Sequence, residues 1–121
     1  MYARAASAYK KVSIESASPA RVLDELFRRL RLDFRVAKES LANGEIAPRC
    51  NALSHALKLV GALEASLDHD VAPDLCVGLT KLYAFVREQI VAANRQALAA
   101  PLDIADEIVE QIHEAFLEAQ P

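Results

Sequence analysis

From Pro19 onward the apolar residues keep a helical spacing. Leu23, Phe27, Leu30, Phe34, Ala37 and Leu41 advance by four and three alternately, which holds one stripe toward a partner helix. Leu26 widens that stripe, while Arg28, Arg29, Arg31 and Arg35 lie mainly off it. The helix has a start and a stop: Ser18 is a good N-cap, Pro19 suits the first helical position, and Asn43-Gly44 supplies a left-handed end. A second helix is predicted from about Ile46 or Pro48 to about His69, with Cys50, Leu53, Leu57, Val60, Leu63 or Glu64, and Leu67 as its stripe.

The stretch from Asp68 to Pro73 breaks the period. A third helix then carries Leu75, Leu79, Leu82, Val86, Ile90, Ala93 and Ala97, flanked by Tyr83 and Phe85. After Ala99-Ala100-Pro101, a last helix from about Leu102 to Glu118 places Ala105, Ile108, Ile112, Ala115 and Phe116 inward and Asp103, Asp106, Glu107, Glu110, Glu114 and Glu118 outward. Each stripe must be buried, and connections this short force neighbours together. The expected fold is therefore all-α, an antiparallel up-down-up-down four-helix bundle. Stripes that include Leu26, Tyr83, Phe85 and Val109 are wider than a single core requires, so core packing is their first explanation and a surface for a partner the second.

The bundle is preceded by an arm. Residues 2–10 are Ala-rich enough for about two helical turns, which are marginal in water unless docked. From Ala8 to Pro19 the apolar anchors are Tyr9, Val12 and Ile14. The expected organisation is one domain over residues 1–121, with an arm at 1–18 and a bundle at 19–118.

Composition narrows the reading. With 121 residues, 53% apolar and 26% charged, the chain suits one buried core. Residues 1–60 carry 11 Lys and Arg against 6 Asp and Glu, whereas residues 61–121 carry 3 against 11. Neither half resembles a nucleic-acid surface, and the simpler expectation is that oppositely charged helices meet inside the bundle. There is no signal-peptide pattern and no apolar run near membrane-spanning length, so the predicted location is a reducing cytoplasm, with no membrane insertion.

Candidate chemistry is sparse. Cys50 and Cys76 lack a C-x-x-C arrangement or a companion His, which points to small core residues and away from zinc or redox chemistry. His69 and His113 sit among acids and read as solvated, as do Asp106 and Glu110, one turn apart. His55-Ala56-Leu57-Lys58 resembles the H-x-L-K core of histidine phosphotransfer domains, which are four-helix bundles too. Leu59, however, stands where that family has a small Gly, and an exposed helical His is the commoner explanation. No cofactor, metal site or enzymatic constellation is expected.

Taken in order, Ala8-Tyr9, Val12, Glu15-Ser16-Ala17-Ser18-Pro19, Gly44-Glu45-Ile46, Leu63, Ser66-Leu67-Asp68, Leu79, Leu82-Tyr83 and Ala93-Asn94 resemble the FliS-type flagellin-export chaperones, from Tyr2 to about Phe116. The resemblance implies a non-enzymatic cytoplasmic chaperone. It would bind the disordered C-terminal segment of flagellin, block premature polymerisation, and deliver its client to a component of the flagellar export gate. It also implies an arm that occupies the client groove until displaced, with Tyr9, Val12 and Ile14 as the competitors and Leu26, Phe27, Leu82, Tyr83, Ala93 and Asn94 at groove or support positions. One departure stands out: Asp24-Glu25 and Arg28-Arg29 flank Leu26-Phe27 where that family has an apolar pair and then Leu-Tyr-Asp-Gly. A divergent adaptor of the same fold, serving another export-related partner, is the alternative, and phosphotransfer through His55 is a second.

Overall fold

The computed structural model describes residues 18–120. The arm anchors Tyr9, Val12 and Ile14 lie outside the described residues. Four helices follow one another: α1 (Pro19–Asn43), α2 (Ile46–Ala65), α3 (Pro73–Gln96) and α4 (Ala100–Glu118). Each packs on its neighbours in sequence, and α4 returns to α1, which closes an antiparallel ring around one core.

The ends of α1 are set by local chemistry. The Ser18 hydroxyl accepts a hydrogen bond from the Arg21 amide at 3.1 Å, satisfying one of the free donors of the first turn, and Pro19 follows inside the helix. At the far end Gly44 adopts φ 71°, and the amides of Gly44 and Glu45 bond back to Leu41 and Ser40. A residue with a Cβ pays a steric penalty at that φ, so glycine is the natural stop.

The α1 stripe goes inside as predicted at Leu23, Phe27, Leu30, Phe34 and Ala37; Leu41 is half-buried. The other helices depart in register. α2 ends at Ala65 and not near His69: the Ser66 hydroxyl donates to the Ala62 carbonyl, and Leu67 turns into the core beyond the helix. Because α2 lies between α1 and α3, it buries two apolar flanks. Ala52, Ala56 and Leu59 join Leu53, Val60 and Leu63 inside, while Leu57 and Cys50 are half-buried.

In α3 apolar residues come in adjacent pairs, and at Leu75-Cys76 and Leu82-Tyr83 the helix turns the second of the pair inward. Cys76 and Tyr83 are buried, whereas Leu75 and Leu82 pack at the edge of the core. Tyr83 is thus a core residue and not a flanking one, and Ala97, expected on the stripe, is an exposed C-cap at φ 53°. In α4, which begins at Ala100, Val109 is fully inside and Ile108 half-buried. His113, expected in solvent, is only 5% exposed.

Candidate functional site

The face that combines exposed apolar side chains with concavity lies between the first half of α1 and the second half of α2. There an open groove of about 640 Å³ is lined by Arg21, Val22, Asp24, Glu25, Leu26, Arg29 and Leu59. Its position follows from the sequence pattern. Val22 and Leu26 are one helical turn apart and belong to the part of α1 that is too wide for the core, so they project beside Leu23 and Phe27 instead of beneath them. Val22 remains 48% exposed. Leu59 closes the apolar floor from the opposite helix.

The rim of this groove is charged but internally balanced. Arg28 Nε lies 2.9 Å from Asp24 Oδ2, and Arg29 Nε lies 3.1 Å from Glu25 Oε1, both pairs one helical turn apart. Arg29 therefore stands in solvent and does not crowd a helix contact. Asp24 has a second partner. Its Oδ1 lies 2.7 Å from Nε2 of His113 on α4. The hydrogen bond with His113, helped by the bond and charge of Arg28 and opposed by partial burial, holds the Asp24 carboxyl below the ordinary carboxylate range. The His113 ring stacks on Phe27 with centroids 4.9 Å apart at 14°, and Phe27 in turn meets Phe116 at 5.7 Å.

The structure divides the residues expected at the site into two kinds. Phe27, Tyr83 and Ala93 are fully buried, so they can act only by supporting what lies above them. Leu26, Leu82 and Asn94 reach the surface. Leu26 lines the α1–α2 groove, whereas Leu82 lies on α3, about three turns from Asn94. Asn94 accepts from Arg49 Nε at 3.1 Å and from the Cys50 thiol at 3.6 Å, tying the start of α2 to the end of α3. These residues do not converge on one pocket.

Sequence reasoning missed Val22 and Leu59 as groove residues and His113 as a buried one. The signal for His113 was present: it lies four residues after Val109 and three before Phe116, which is core spacing on a helix.

The remaining chemical candidates have structural partners. His55 Nδ1 lies 2.6 Å from Asp33 Oδ2, and burial, opposed by that bond, pushes the Asp33 carboxyl above its ordinary value. Asp106 and Glu110 are both held by Arg31, at 3.1 and 2.7 Å, and form no isolated acid pair. Burial, with the charge of Asp68 adding to it, raises the Cys76 thiol. Among the described residues no cluster of three metal-ligating side chains occurs, and no helix is long and apolar enough to cross a membrane.

A family model described as flagellar protein FliS matches residues 1–121. The chain belongs to the FliS family. It is 27% identical over 119 residues to a flagellar secretion chaperone FliS of Salmonella typhimurium, with 94% of this chain and 88% of the relative covered. It is 30% identical over 118 residues to a flagellar secretion chaperone FliS of Vibrio cholerae, with 94% and 87% covered. FliS proteins are chaperones and not enzymes, so His55 needs no phosphotransfer role: its hydrogen bond with Asp33 accounts for it.

Proposed function

We propose that this chain is a cytoplasmic export chaperone. It binds the C-terminal helical segment of flagellin in the groove between α1 and α2, prevents premature polymerisation, and passes its client to the flagellar export gate. The observation that carries the reading is the open apolar floor of Val22, Leu26 and Leu59 in a chain that matches FliS from end to end. A client tail that is apolar, helix-prone and disordered when free gains burial by folding onto such a floor, while the complex hides the surface that would polymerise. Residues 1–18 then form an arm on a single domain, and Tyr9, Val12 and Ile14 hold the groove until the client displaces them.

Flagellin that lacks its C-terminal segment should fail to co-purify with this chain, whereas the intact protein should do so; equal recovery of both would remove the reading. Val22→Glu tests the groove directly. Val22 is already 48% exposed, so the substitution should leave helicity and melting temperature nearly unchanged. A buried carboxylate at the contact should nevertheless weaken client binding on the order of ten-fold or more. Titration calorimetry with the client tail checks this.

The self-paired charges Asp24, Glu25 and Arg29 on the groove rim, with Arg28 bonded to Asp24 behind them, favour one second reading, an adaptor for a different export-related partner with its own charged flanks. Pull-down from the native cell distinguishes the two, because flagellin would then be absent from the bound fraction.

A further inference from the structure

On the other side of α1, a cleft of about 240 Å³ opens in the seam with α4, lined by Arg28, Arg31 and Arg35 from α1 and by Asp106 and His113 from α4. The three arginines are spaced by three and four residues, so their guanidinium groups share one ridge. Two of them are committed: Arg28 to Asp24, and Arg31 to Asp106 and Glu110. Arg35, one turn further on, is exposed and forms no ion pair among the described residues. The cleft also has a fixed, deeply buried polar wall. His113 is 5% exposed, clamped at Nε2 by Asp24 and stacked flat on Phe27, so its ring cannot turn away.

We propose that this cleft binds an oxyanion, a carboxylate or phosphate group, held by the guanidinium group of Arg35 and by the terminal nitrogens of Arg28, whose Nε alone is engaged by Asp24, with His113 as its floor. Guanidinium presents paired donors that match two oxygens of such a group, and an arginine without a carboxylate partner has those donors to give. Room is sufficient: at roughly 30 Å³ per water, the cleft holds several waters, enough for one oxyanion with part of its shell.

The charges around the cleft balance, so directed donors and not net charge hold the anion. The groups around His113 are Arg28, Arg31, Arg35 and Asp24 from α1, with Asp106 and Glu110 from its own helix; neither α2 nor α3 contributes a residue to the lining. Three cations face three carboxylates. The site lies outside the α1–α2 groove and does not depend on the flagellin reading.

The test uses the full chain, with inorganic phosphate as the probe and chloride at matched ionic strength as the control. Nuclear magnetic resonance should show saturable shifts at the Arg35 Nε–H and the His113 ring with phosphate but not with chloride. Arg35→Gln should keep the fold, by circular dichroism, and weaken phosphate binding on the order of ten-fold, with Arg35→Lys between the two. Equal responses to chloride and phosphate, or an Arg35→Gln chain that binds phosphate as the unmodified chain does, would overturn the proposal. The source of the oxyanion is read from client binding in Arg35→Gln. Weakened binding identifies an acidic side chain of the client, and unchanged binding identifies a free anion; either supports the cleft.

Discussion

At the scale of single residues, the pair formed by Asp24 and His113 changes the meaning of a charge that looked like a surface departure. Asp24 accepts from His113 across the helix seam and from Arg28 within α1, and the bond from His113 is the main reason its carboxyl is held low. A carboxyl depressed in the folded chain stabilises that chain above its unfolded value and loses the contribution as pH falls through the folded one. Asp24→Asn should therefore cost about 1 kcal/mol at pH 7, the scale of a charge-assisted hydrogen bond discounted for partial exposure. The difference from the unmodified chain should shrink steadily below the ordinary carboxylate range. Urea unfolding followed from pH 7 to pH 3 measures both limbs; a gap that stayed constant with pH would show that the carboxylate charge is not what stabilises.

At the scale of elements, legibility depended on how one-sided each helix is. α1 buries one continuous stripe between a serine cap and a glycine stop, and all three were readable in the sequence. α2 and α3 bury apolar residues on adjacent flanks, so the periodicity allowed a rotation of one residue, and the inward positions of Tyr83 and Leu59 emerged only once neighbouring helices were in place, whereas Cys76 is the small core residue that the sequence implied. The groove suffered for the same reason. Val22 and Leu26 resemble any wide stripe until α2 fails to cover them. The end of α3 holds a further feature that spacing could not show. Ala97 caps it at φ 53°, where a Cβ is strained and where glycine is common. Ala97→Gly should raise stability by about 1 kcal/mol, the relief of one left-handed residue net of the added flexibility of the unfolded chain. Thermal melting of the variant, with its helicity as control, checks the sign.

At the scale of the whole molecule, the uneven charge of the two halves of the chain becomes a seam. The positive residues of α1 face the acids of α4 along its length, Arg31 with Asp106 and Glu110 and Lys38 with Asp103 at 3.0 Å, while His113 of α4 hydrogen-bonds Asp24 of α1 across the same seam. Glu64 of α2 and Arg87 of α3 make a similar pair across another interface. This edge joins the first helix to the last, with no short turn to hold it, so side-chain attraction has more to do there than at the turns. Partly exposed pairs are worth about 0.2–1 kcal/mol each and are screened over about 10 Å in 0.1 M salt. Arg31 touches two carboxylates, so reversing it to Glu sets three negative groups together and should cost about 1–2 kcal/mol, more than the loss of attraction alone. Asp106→Arg in that background should recover part of the loss, and the recovery should fade as salt rises from about 0.05 to 1 M. A double-mutant cycle by chemical unfolding at both salt levels measures the coupling. Zero coupling at low salt would mean that apolar packing alone closes the ring, and that the charge division of the chain serves its surface and not its fold.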